Sequence, residues 1–156
     1  MKDHTHHATP ADLAIAEIEH EHATLAERLA TLREMLSCAP GEGDCDKCSD
    51  AEAAACWEQT GQFLADLLGY MQHHFRVEEA AMRWLNATSS EREAAAAHVE
   101  AHADMMERAA KLIRLAELQA ERVAARDLLE DWLREHIATH DTLLLDRLRR
   151  AAKPAT

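Results

Sequence analysis

Residues 132–141 read Trp132-Leu133-Arg134-Glu135-His136-Ile137-Ala138-Thr139-His140-Asp141. The stretch lies inside Glu91 to Ala152, a segment with no Gly or Pro to interrupt a helix. On an ideal helix His136 and His140 share a face, whereas His136 and Asp141 lie about 140° apart. Spacing alone therefore nominates His140 as the partner of His136. A local π-bulge would instead bring residues i and i+5 together, and such bulges are frequent at functional sites. Both readings stand at this point.

The same kind of pairing recurs upstream. His74-Phe75-Arg76-Val77-Glu78 sets an imidazole and a carboxylate four apart, and His98-Val99-Glu100-Ala101-His102 sets two imidazoles four apart. Side chains at that spacing project together from one helix face, so each pair can chelate one ion. An earlier helix contributes His22. One such pair is ordinary surface or core chemistry. Three pairs on three helices are not, and a buried Glu or Asp needs a cationic partner.

The remaining punctuation agrees with four helices. Leu13, Ala16, Ile18, Leu25, Leu29, Leu32 and Leu36 recur at helical spacing across Ala11 to Leu36, with Thr9 as cap and Pro10 at the first helical position. Ser37 to Asp50 breaks the pattern with Pro40, Gly41 and Gly43. A second helix is expected from about Ala53 to Leu85, then a break at Asn86 to Ser90, with Ser90 and Glu93 as a capping box. If the histidines share one height in an antiparallel bundle, each turn falls at the midpoint of a pair. His22 and His74 give residue 48, Glu78 and His98 give 88, and His102 and His136 give 119. The first two midpoints land in the breaks already found, and the third places a turn near Leu118 to Glu121. The expected fold is all-α, an up-down-up-down antiparallel four-helix bundle over residues 11–152, behind a flexible tail at 1–10, with a metal site in its core.

Bulk properties fit. The 156 residues suit one domain, 47% are hydrophobic and only 4% aromatic, and Ala, Leu and Glu dominate. A net charge of −12 excludes a general nucleic-acid binder or a partner of anionic membranes. No apolar run is long enough to span a bilayer, and Met1 to Pro10 has no signal-like apolar region, so the expected location is cytoplasmic. Eleven histidines are the compositional anomaly.

The motif at 132–141 resembles the last-helix motif of the hemerythrin family, tryptophan-leucine-x-x-histidine-isoleucine-x-x-x-aspartate. His74-Phe75-Arg76-Val77-Glu78-Glu79 resembles its second-helix motif, His98-x-x-x-His102 its third, and Ile18-Glu19-His20-Glu21-His22-Ala23-Thr24-Leu25 its first. The resemblance covers about residues 15 to 145. It implies two non-haem irons bridged by Glu78 and Asp141, one held by His98, His102 and His136. The other would be held by His22, preferred to His20, and His74, with an open position for dioxygen. It assigns Leu25, Phe75, Trp132, Leu133 and Ile137 to the apolar wall of the ligand pocket, which excludes water and protons. The implied role is a reversible dioxygen binder rather than an enzyme. A di-iron peroxidase or a nitric-oxide-handling protein using the same ligands is the alternative. Three features depart from the family pattern: no Trp near the start of the first helix, a longer second turn at Arg83 to Arg92, and Leu144 where a tyrosine is common.

Four cysteines, Cys38, Cys45, Cys48 and Cys56, fall in or beside the first interhelix segment at 37–56, two of them in Cys45-Asp46-Lys47-Cys48. The set could hold a structural Zn²⁺ or a single iron, or form a dithiol/disulfide switch that makes the chain an iron- or redox-sensing module. Four free thiols is the plain alternative. His4, His6 and His7 read as a polar tail, and His20, His73 and His140 as neighbours of ligands that point elsewhere. Trp57 and Trp84 read as packing residues, and Glu117, Glu121, Arg122, Arg126 and Glu130 as a solvated charged face. Arg147, Arg149 and Arg150 suit the dipole of the last helix.

Overall fold

In the computed structural model, residues 8–37, 48–85, 88–115 and 119–153 are described. They form α1 (Pro10–Leu36), α2 (Asp50–Trp84), α3 (Ser89–Leu115), α4 (Gln119–His136), a π-helical turn (Ile137–Asp141) and α5 (Thr142–Ala152). The last three run on as one rod, giving four rods in all. No strand occurs among the described residues, and no helix there is long and apolar enough to cross a membrane.

The starts of α1, α2 and α3 each have their own capping chemistry. The Thr9 N–H donates to Asp12 Oδ2 at 2.8 Å and Thr9 Oγ1 accepts from the Asp12 N–H, with Pro10 opening α1 as expected. The same reciprocal pair joins Ser49 and Glu52, so α2 begins at Asp50 rather than near Ala53. At α3 the box is formed by Thr88 and Glu91, two residues before the expected Ser90 and Glu93.

The rods pack antiparallel to their neighbours in sequence, and the last closes on α1. Arg149 reaches Glu19 and Arg33 reaches Glu130, so α1 and the last rod run in opposite directions. Arg147 to Glu91 and His136 to His102 do the same for the last rod and α3. The expectation that these arginines serve the helix dipole and need no partner is corrected: Arg147 pairs with Glu91 and Arg149 with Glu19, and only Arg149 and Arg150 lie in the last turn.

α3 ends at Leu115 and α4 begins at Gln119, so the break between them comes earlier than the midpoint rule placed it, and residues 116–118, Leu118 of the expected turn among them, lie outside the described residues. Side chains lean toward the N-terminus of their own helix. His102 therefore leans away from the turn and His136 toward it, and to meet they start at unequal heights. The turn shifts toward the shallower residue, His102. The gap between α2 and α3 is displaced the same way.

The core is two apolar clusters with a polar layer between them. Leu25, Leu29, Leu32, Leu64, Leu67, Met71, Phe75, Met105, Leu129 and Leu133 belong to the larger one. Ile18, Ala81, Met82, Leu144, Leu145 and Leu148 form the smaller, at the other end. On α1 the chain passes from Ile18 through His22 to Leu25. On the last rod it passes from Leu133 through His136 and Asp141 to Leu144. Burial of each large aliphatic side chain contributes about 1.5–3 kcal/mol, so the clusters hold the four rods in register around the polar layer.

The expected charged face on α4 is not all solvated. Arg122 is 4% exposed, lies 3.8 Å over the Trp57 ring and donates from Nη1 to the Trp57 carbonyl at 2.6 Å and to Thr60 Oγ1. Its guanidinium fills the diagonal between α2 and α4, where a flat cation can stack and donate at once. Trp57 thus packs against α4, whereas Trp84 is 45% exposed. Cys48 is exposed and Cys56 half-buried, both as free thiols, while Cys38 and Cys45 lie outside the described residues, as do residues 1–7 of the expected tail.

Candidate metal centre

Seven side chains from all four rods converge in the polar layer. Glu78 and Asp141 are fully buried at 0% exposure, His74 equally so, and His98, His102 and His136 are 2–3% exposed. His22, whose side chain is 13% exposed, is the most accessible of the seven.

The two carboxylates divide the imidazoles into two groups. Glu78 Oε2 lies 3.4 Å from His98 Nε2, 3.1 Å from His102 Nε2 and 3.9 Å from His136 Nε2. Asp141 Oδ1 lies 3.1 Å from His98 Nε2 and 3.0 Å from His136 Nε2. The other oxygens face the opposite way. Glu78 Oε1 lies 3.5 Å from His74 Nε2 and 3.8 Å from His22 Nε2, and Asp141 Oδ2 lies 3.0 Å from His22 Nε2. Each carboxylate spans both groups.

The π-turn makes this possible. The Thr142 N–H and Oγ1 both donate to the Ile137 carbonyl, an i to i+5 connection. The extra residue rotates Asp141 onto the face of His136 and displaces His140 to the rim, where its ring lies 5.0 Å from those of His98 and His136. The choice between His140 and Asp141 that ideal spacing left open falls to Asp141.

Hydrogen bonding cannot account for the layer. Both oxygens of Glu78, both of Asp141, and Nε2 of His22 and His74 are buried without an aligned hydrogen bond. The close approaches above bring carboxylate oxygens and imidazole nitrogens toward shared points without hydrogen-bond alignment. The Nε2 atoms of His98 and His102 stand 2.9 and 3.0 Å from that of His136, a spacing suited to nitrogens that converge on one ion. So many orphaned acceptors in a dry layer fit divalent cations, the one type of partner that satisfies carboxylate and imidazole lone pairs together.

Charge in the metal-free layer is compensated by protons. Burial opposes protonation of His22, but the Asp141 and Glu78 carboxylates outweigh it and raise the imidazole to about 9. The same contest lifts His98 to about 9 and raises His136. Burial pushes Glu78 and Asp141 up, yet the surrounding imidazoles hold both below the ordinary carboxylate range. Burial and the neighbouring His136 and His98 lower His140.

An outer layer orients the inner one. His74 Nδ1 donates to Glu21 Oε2 at 2.9 Å, and Glu21 is itself 4% exposed. His102 Nδ1 lies 3.3 Å from Glu79 Oε1. A carboxylate behind a ligating imidazole fixes its tautomer and raises its basicity. The sequence reading did not single out Glu21, though a signal was present. Three residues after Ile18 and four before Leu25, it stands on the buried stripe of α1, where a carboxylate is out of place unless paired. Aromatic rings complete the walls: Phe75 stacks on His102 with centroids 3.9 Å apart, and Trp132 on His136 at 4.2 Å. Leu25, Phe75 and Leu133 are buried beside them, with Trp132 and Ile137 packed on that cluster.

The sequence profile described as Hemerythrin HHE cation binding domain matches residues 13–148. The chain belongs to that family. No match was found among curated proteins or solved structures. Membership in the hemerythrin HHE family and the buried donors identify a metal-binding helical protein.

Two outcomes follow from this layer. In the metal-free chain, His22 and His98 contribute stability that is complete below their ordinary value of 6.5 and is lost as pH rises to about 9. Glu78 and Asp141 contribute stability that is lost as pH falls below their ordinary values of 4.5 and 3.8. Urea midpoints of the metal-free chain should therefore be highest between pH 4.5 and 6.5 and fall toward pH 9. The second outcome concerns Glu21→Gln, which keeps the shape but removes the charge behind His74. It should weaken metal retention on the His22–His74 side by roughly 10- to 100-fold, measured by dialysis against a graded chelator.

Proposed function

We propose that this chain holds two irons in the polar layer and binds dioxygen reversibly, as a supply, storage or sensing protein rather than an enzyme. The observation that carries the reading is the unequal division of donors. Three imidazoles with Glu78 Oε2 and Asp141 Oδ1 serve one position, whereas two imidazoles with Glu78 Oε1 and Asp141 Oδ2 serve the other. With one donor fewer, the His22–His74 position has room for a small ligand.

A ferrous pair held there would supply the electrons and the free coordination position that a diatomic ligand such as dioxygen or nitric oxide needs. The chain's own residues set the conditions. Five neutral imidazoles and only two carboxylates leave much of the cationic charge uncompensated, which favours the ferrous state over more oxidised ones. Leu25, Phe75, Leu133, Trp132 and Ile137 keep water and protons from the site, and so oppose irreversible oxidation. Glu21 and Glu79 keep the His74 and His102 rings turned with Nε2 inward.

Anaerobic reduction, addition of oxygen and its removal test the proposal. The expected result is colour on oxygenation that bleaches back to the colourless ferrous state over repeated cycles. Irreversible oxidation with turnover of added peroxide would contradict it and favour a peroxidase.

A further inference from the structure

A second group of metal-ligating side chains lies outside the polar layer. Glu17 and Glu21 stand one turn apart on α1, and His73 faces them from α2, with one donor atom of each lying within 4.8 Å of the others. His73 Nε2 is 3.3 Å from Glu21 Oε1, and its side chain is 60% exposed while that of Glu21 is 5% exposed. Glu17 is exposed. Glu21 thus presents its two oxygens to different neighbours: Oε2 points inward to His74 Nδ1 at 2.9 Å, and Oε1 points outward to His73.

We propose that Glu17, Glu21 and His73 form a third, solvent-accessible cation site for a first-row divalent transition metal. Two carboxylates and one imidazole form a mixed oxygen and nitrogen donor set on one side of an ion, leaving the remaining positions to water. The imidazole selects against Ca²⁺ and Mg²⁺, which take oxygen donors, and the lack of thiolate selects against the softest ions. Two negative charges converge there on a chain whose net charge is already −12, so the local field draws cations. The buried position of Glu21 fixes one ligand before the ion arrives, and the turn of α1 between Glu17 and Glu21 fixes the second. A cation on Glu21 Oε1 would withdraw charge from the carboxylate behind His74, which ties the outer site to the inner layer. That link rests on His74 being a ligand, but the outer site itself does not.

The test uses the full chain, first saturated with iron, and Mn²⁺ as probe, read by loss of its free-ion electron paramagnetic resonance signal. Mn²⁺ suits carboxylate ligands and has little affinity for thiols. The wild-type chain should take up one Mn²⁺ beyond its iron. His73→Ala and Glu17→Gln, both at exposed positions, should each weaken that uptake at least ~10-fold with the iron content unchanged. No Mn²⁺ uptake by the wild type, or equal uptake by all three chains, overturns the outer site. A wild-type chain that retains no iron would instead count against the buried pair, since the outer site is read from the difference between variants.

Discussion

Two carboxylates with no access to water govern this molecule. Glu78 and Asp141 have no exposed surface and no aligned hydrogen bond to any of their four oxygens. Burying one unpaired carboxylate costs more than a domain's net stability allows, and two side by side add mutual repulsion. Something positive must lie between them. In the metal-free chain protons on His22 and His98 fill that role, and bound cations would take their place.

The rest of the architecture is arranged around that need. Apolar clusters above and below the polar layer keep it dry and hold four rods at the height where five imidazoles can reach the carboxylates. The π-turn sacrifices regular helix geometry over Ile137–Asp141 to bring Asp141 beside His136. Behind the donors, Glu21 and Glu79 hold two imidazole rings in orientation, so the layer is set before any ion binds. Metal affinity and folding are in consequence linked in this chain.

Much of this was legible in the sequence, because i, i+4 pairs of His and Glu state both the helix and the chemistry. The bundle followed from matching heights along four helices. Asp141 was ambiguous because a bulge has no signature in spacing, and only the family motif distinguished it from His140. The break between Leu115 and Gln119 was placed too late because side-chain lean is invisible in a residue count. Arg122 looked like part of a solvated face because its partners, the Trp57 carbonyl and Thr60, come from a distant helix. Glu21 was hidden among the acidic residues of α1, although its position on the apolar stripe marked it.

The most direct measurement is the metal content of the chain after reconstitution with ferrous iron and removal of loosely bound ions. Elemental analysis should give two irons per chain for the wild type. Asp141→Asn, which keeps the side chain's shape but removes one of the two buried negative charges, should give fewer. One iron or none in the wild type, or two in the variant, would contradict a pair of ions clasped by shared carboxylates.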